Sequence, residues 1–179
     1  MNPSLLDQYR DVWRSIGMPD SLIAERNLPL FEEATALLIA EVASSGREFH
    51  LTPAATEAWS AMKSAANNDG VDIFIVSAYR SVARQLELIQ QKLAAGRSLD
   101  DILAVLAPPG CSEHHTGRAV DIGTGEVLPL EPDFDRAPAF AWLNARAHEF
   151  GFTLSFPQGN RFGYIYEPWH WCFADITGS

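Results

Sequence analysis

The chain has 179 residues, with 23 Asp plus Glu against 13 Lys plus Arg, for a formal net charge of -10. That length suits one domain with a small appendage, and 47% hydrophobic against 20% charged residues is enough apolar material for a core, which excludes wholesale disorder. No Lys/Arg-rich run exists to release counterions from a polyanion, so nucleic acid and anionic membranes are excluded as partners, and no segment reads as a membrane span.

The first ten residues include Asp7 and Arg10 and no continuous apolar stretch, so they do not read as a secretory signal, and a cytoplasmic location is expected. Leu5, Leu6, Tyr9, Val12, Trp13 and Ile16 recur at helical spacing, which predicts a helix over 4–16 closed by Gly17 and Pro19. A second helix is expected from Ser21 or Pro29 to Ala43, closed by Ser44-Ser45-Gly46. Residues 1–45 therefore read as a helical arm and 46–179 as the main domain. Thr52-Pro53 opens a helix to about Asn67, with proline at its first position. Asn68-Asp69-Gly70 is turn chemistry, and Asp72 to Ser77 reads as a buried strand. Helices over Ser81–Ala95 and Leu99–Leu106 follow, ended by Pro108-Pro109-Gly110. Arg118–Gly123 and Phe162–Tyr166 read as strands around a helix over Ala137–Glu149, and Trp169–Ala174 as the last strand. The pattern implies an α+β fold, with helices packed on one side of a small, mainly antiparallel sheet.

Three segments gather polar residues that strands and turns do not need: Ala78-Tyr79-Arg80-Ser81, Ser112 to Asp121, and Glu167-Pro168-Trp169-His170. In the strand after Thr116-Gly117, alternation sets Val120 and Ile122 on one face and Ala119, Asp121 and Gly123 on the other. The small neighbours leave space beside the Asp121 carboxylate. Alternation in the last strand sends Trp169, Trp171 and Phe173 one way and His170 and Cys172 the other. His114, Asp121 and His170 would then offer two imidazoles and a carboxylate to a divalent ion with a fourth position for water, the donor set of catalytic zinc. Glu167, three residues before His170 across Pro168, is the candidate general base. Arg80, at the end of a strand, is the candidate cation for a substrate carboxylate or a developing oxyanion.

The segment S-E-H-H-T-G-R-A-V-D, with E-P-W-H downstream and Y-R-S-x-x-x-Q upstream, resembles the VanY-type D-alanyl-D-alanine carboxypeptidases, zinc peptidases that share the hedgehog/DD-peptidase fold. The resemblance covers about Leu51 to Phe173 and leaves the arm unmatched. It implies His114, Asp121 and His170 as Zn2+ ligands and Glu167 as catalytic base. It further implies Arg80, with Tyr79, Ser112 and Gln85, as substrate-binding. The activity implied is release of a C-terminal D-alanine from peptidoglycan stem peptides or muropeptides. An L,D-carboxypeptidase of muropeptide recycling and a non-catalytic zinc-containing wall-peptide module are the alternatives. His115 reads as an exposed or supporting neighbour of the ligands. Cys111 and Cys172 flank the proposed ligands as buried small hydrophobes, a redox pair, or thiolate ligands; Cys111 as a nucleophile is a further alternative.

Overall fold

The computed structural model describes residues 3–174, and its elements follow the chain's punctuation closely. Helix α1 (Pro3–Ser15) is followed by a short α2 (Ser21–Glu25). The helix expected to run on to Ala43 does not form. Asn27 turns to φ 49, Pro29 brings no N–H, and residues 28–37 run without regular structure. This strap donates Phe31 N–H to Gly110 O at 2.8 Å and Ala34 N–H to His115 O at 2.8 Å. The chain then makes a hairpin of β1 (Leu38–Val42) and β2 (Glu48–Leu51). Leu38, Ile39 and Val42, whose spacing mimics a helix, are at least half exposed at 50%, 50% and 55%. The β-branched residues favour the strand, and Gly46 at φ 84 closes the turn. The expected boundary at residue 45 falls inside that turn.

Helix α3 (Pro53–Asn68) starts behind an extended Thr52 with Pro53 at its first turn, as the sequence predicts. Strand β3 (Phe74–Ser77) leads into α4 (Val82–Ala94), where the Ser81 hydroxyl accepts from Arg84 N–H, and α5 (Leu99–Leu103) is capped in the same way by Ser98. Strand β4 (Ala119–Gly123), helix α6 (Pro138–Arg146), β5 (Phe152–Leu154) and β6 (His170–Phe173) complete the order. The strand expected at Phe162–Tyr166 is replaced by a loop built on one side chain. Asn160 Nδ2 donates to Tyr164 O at 2.8 Å, and its Oδ1 accepts from Phe162 N–H and Tyr164 N–H at 3.2 and 3.3 Å. That local bonding satisfies groups a ladder would otherwise take. Strand β5, not foreseen in the sequence, pairs with β6 instead.

The main sheet has the order β3-β4-β6-β5, all pairs antiparallel. Its core face carries Val120, Ile122, Trp171 and Phe173, packed with Trp59 and Met62 of α3 and Trp142 and Leu143 of α6. A second cluster joins Tyr9, Trp13 and Ile16 of the arm to Ile89 of α4, Ile102 and Leu103 of α5, and Cys111. Trp13 is fully buried and donates its indole N–H to Pro109 O at 2.7 Å. The arm is thus part of a core, because α1 presents one apolar stripe and must bury it.

Candidate active site and metal centre

Strand β4 lies between β3 and β6, and Asp121 stands directly opposite His170 in the antiparallel register. Since Val120 and Trp171 point into the core, the two functional side chains share the other face. His114 comes from a 3-10 turn over Glu113–Thr116 that ends at Gly117 with φ 63. The positive φ favours glycine at 117, where an added Cβ would also press on the Leu37 side chain at 2.8 Å. His114 Nε2 is 3.2 Å from Asp121 Oδ2, and His170 Nδ1 is 2.9 Å from Asp121 Oδ1. Three donor atoms from these residues lie within 4.8 Å of one another, all from buried residues. Ligands held 2.0–2.2 Å from a tetrahedral ion stand about 3.3–3.6 Å apart, so the set fits a divalent metal of the zinc type. Burial opposes charge on Asp121, but the two imidazoles hold its carboxyl well below the usual carboxylate range.

The triad forms part of the floor of a cleft of about 490 Å³, which Arg80, Ser112 and Glu167 also line. Burial pushes the Glu167 carboxyl up to about 7, with Asp121 and Glu113 adding to the effect against His170 and Arg80. A carboxyl poised near neutrality can both take and return a proton. Its backbone N–H is fixed on Phe156 O at 3.1 Å, and its carbonyl accepts from His170 N–H at 3.1 Å, which ties the base to a ligand. Arg80 is placed by backbone bonds, its N–H donating to His114 O at 3.2 Å. Its guanidinium makes no ion pair among the described residues, and its buried Nε has no partner. Asp121 and Glu167 lie close enough to act on its charge. A cation so placed is available to a ligand. Ser112 is buried, and its side chain makes no capping bond to the turn that follows.

Tyr79 and Gln85 do not line the cleft. The Tyr79 hydroxyl donates to Glu33 at 2.8 Å, on the strap, and burial with that contact pushes it up to about 12. Gln85 is fully buried and donates to Ala107 O at 2.6 Å, so it supports a cleft wall from behind. Both cysteines are free, and neither belongs to the donor cluster found among the described residues. Burial pushes the Cys111 and Cys172 thiols up to about 12, which leaves neither poised as a nucleophile.

Glu113, Ser155 and Phe156 also shape the site, roles that sequence reasoning did not assign, and His115, expected as an exposed or supporting neighbour, is a buried support. Glu113 Oε2 accepts from His170 Nε2 at 3.0 Å and from the Ser155 hydroxyl at 2.6 Å. Phe156 packs its ring 4.7 Å from the His170 ring. His115 donates Nδ1–H to Arg80 O at 2.6 Å and accepts Gly110 N–H on Nε2 at 3.1 Å. Burial pushes His115 down to about 4, so it is neutral with the proton fixed on Nδ1. Gly110 is clamped in turn under the Tyr9 ring, so the arm reaches the catalytic loop through a chain of contacts. The sequence held one sign of these roles: polar residues packed into S-E-H-H beyond what a turn needs.

Comparison with known proteins places this geometry. A family model described as VanY, D-alanyl-D-alanine carboxypeptidase, matches residues 48–176. The Bacillus subtilis (strain 168) protein YodJ is 30% identical over 171 residues, covering 89% of this chain and 62% of that one. The structure of the LdcB LD-carboxypeptidase superposes with a TM-score of 0.71 at 29% identity, covering 81% of this chain and 71% of the other. A mutant of the vancomycin-resistance D,D-pentapeptidase VanY in complex with Zn(II) does so at 0.60 and 25%, covering 78% and 79%. The chain belongs to the VanY family, and it spans less than two thirds of the length of YodJ.

Proposed function

We propose that this chain is a zinc-dependent carboxypeptidase that releases a C-terminal D-alanine from peptidoglycan stem peptides or muropeptides, of the D,D type. The observation that carries the reading is one cleft holding three converging buried donors, His114, Asp121 and His170, beside the raised carboxyl of Glu167 and the unpaired guanidinium of Arg80. The Zn(II) in the related VanY structure supports the choice of metal.

His114, Asp121 and His170 would hold the zinc. Bound there, it would supply Lewis acidity to polarise the scissile carbonyl and to acidify an attacking water. Glu167 takes the proton of that water on a carboxylate oxygen and later delivers it to the departing amine. Arg80 supplies positive charge to the oxygen that becomes anionic, or to the terminal carboxylate of the substrate. Ser112 offers a hydroxyl on the same floor. Phe156 and Trp169, also on the lining, exclude water and so strengthen each of these contacts.

An L,D reading has its own support, since the LdcB LD-carboxypeptidase superposes with the higher TM-score of the two solved structures above. Zinc quantification followed by mass spectrometry on a stem pentapeptide and a tetrapeptide, side by side, tests both. The D,D reading requires a tetrapeptide product from the pentapeptide. Cleavage confined to the tetrapeptide transfers the assignment to L,D. Binding of zinc and peptide without turnover of either overturns the enzymatic reading.

A further inference from the structure

The cleft extends beyond the catalytic floor, and its lining includes two cations, Lys92 and Arg97. Lys92 is one of only two lysines in a chain of net charge -10. Among the described residues the ion pairs engage Arg10, Arg14, Lys63, Arg84, Arg136 and Arg146, and neither Lys92 nor Arg97 is in any of them. Glu131, the one lining acid outside the Glu113, Asp121 and Glu167 group, pairs with neither. Two cations on a cleft of an acidic protein, without an ion-pair partner among the described residues, are available to an anion supplied from outside.

Helix α4 sets the spacing of Lys92 from the end of the helix that adjoins Arg80. Helix α4 starts two residues after Arg80, and Lys92 follows Val82 by ten residues on that helix. At about 1.5 Å per residue the offset is roughly 15 Å along the helix axis. A leaving D-alanine extends only about 3.5 Å past the scissile bond, so with the scissile bond held beside Arg80 it falls short of a cation that far along α4. The acyl side of the peptide can reach it. An extended chain covers roughly 15 Å in about four residues, and the reach of the lysine and arginine side chains shortens this to two or three.

Resting on the carboxypeptidase reading, we propose that Lys92 and Arg97 form a subsite for a free carboxylate two or three residues upstream of the scissile bond, and that the enzyme prefers peptides carrying that second acid. The preference is one of binding, because the contact is remote from the reacting atoms and equal in ground and transition states.

The test uses two peptides ending in D-Ala-D-Ala that differ only in an upstream carboxylate or its carboxamide, assayed with the zinc-loaded full chain. The wild type is expected to show a KM about 5–10-fold lower for the carboxylate peptide, as two partly solvated charge contacts allow, with the same kcat for both. In Lys92→Ala/Arg97→Ala the KM for the carboxylate peptide rises to that of the carboxamide, whose own KM does not change. Lys92→Glu/Arg97→Glu reverses the preference. Equal KM values in the wild type, or an equal rise for both peptides in the alanine variant, would overturn the subsite. Inhibition by millimolar inorganic phosphate that vanishes in the alanine variant, without any carboxylate preference, would assign the cations to phosphate instead. Absence of D-alanine release from either peptide by the wild type would defeat the carboxypeptidase reading itself, a distinct outcome.

Discussion

His170 is held between two carboxylates, with Nδ1 2.9 Å from Asp121 and Nε2 3.0 Å from Glu113. Burial disfavours charge on the ring, but the two acceptors outweigh it and raise its pKa to about 10. A metal ion held by His114, Asp121 and His170 would take the place of the proton shared between His170 and Asp121. The Glu113 bond then fixes the ring and raises its basicity, as carboxylates behind metal-bound histidines do. Glu113→Ala is expected to weaken zinc binding about 10–100-fold in competition with a chromophoric chelator. Glu113→Gln, which keeps an acceptor oxygen, should recover most of that loss. An unchanged zinc affinity in the alanine variant would show that Glu113 serves the loop alone.

Glu167 is expected to carry the acidic limb of the kcat/KM profile. The group must be ionised to accept a proton, so activity falls as pH drops through its pKa. Burial sets this at about 7, and a neighbouring dication moves it downward, so the limb should lie at or below about 7. Glu167→Gln should lower kcat about 10²–10⁴-fold at unchanged zinc content. Normal turnover in that variant would remove Glu167 from the mechanism.

Arg80 has a guanidinium without an ion-pair partner among the described residues, so its removal breaks no salt bridge of the protein. Arg80→Ala should therefore melt near the wild-type temperature while losing about 10²–10³ in kcat/KM. Arg80→Lys should recover only part of this, since an ammonium cannot present two parallel donors. A large fall in melting temperature would show that Arg80 is mainly structural.

The thiols provide a contrast with the metal. Cys111 is buried in the second cluster with its pKa pushed up to about 12, so Cys111→Ala and brief iodoacetamide treatment should leave D-alanine release intact. Chelation should abolish release, and added Zn2+ should restore it. Survival of activity under a chelator would reverse this ranking.

Trp13 tests the arm. Its side chain is fully buried and its indole N–H is bonded to Pro109 O, so Trp13→Ala should cost about 3–5 kcal/mol of stability, measured by denaturant unfolding. The adjacent Gly110 N–H binds His115, and His115 holds the Arg80 carbonyl. A kcat/KM loss in the still-folded fraction would show that strain is transmitted along this route.

The sequence alone pointed to the residues that meet in the cleft, His114, Asp121, Glu167, His170 and Arg80, and to the strand faces that Asp121 and His170 occupy. Alternation over Arg118–Gly123 and Trp169–Ala174 already divided core from site, because a strand's side chains have a period of two and no freedom to disobey it. Proline, glycine and serine marked the ends of α3, α4 and α5, since those residues act on the backbone locally. Other features depended on contacts that no local pattern encodes. The segment 29–43 carries helix-like spacing yet forms a strap and a strand, held by Gly110, His115 and β2. The expected strand at 162–166 yields to the bonds of a single asparagine. Which ring nitrogen of His170 faces Asp121, that Glu113 stands behind it, that Tyr79 and Gln85 turn away from the cleft, and that Lys92 and Arg97 share a cleft with His114 were all decided by tertiary structure. Each is a relation between residues distant in the chain, fixed by sheet register and helix packing.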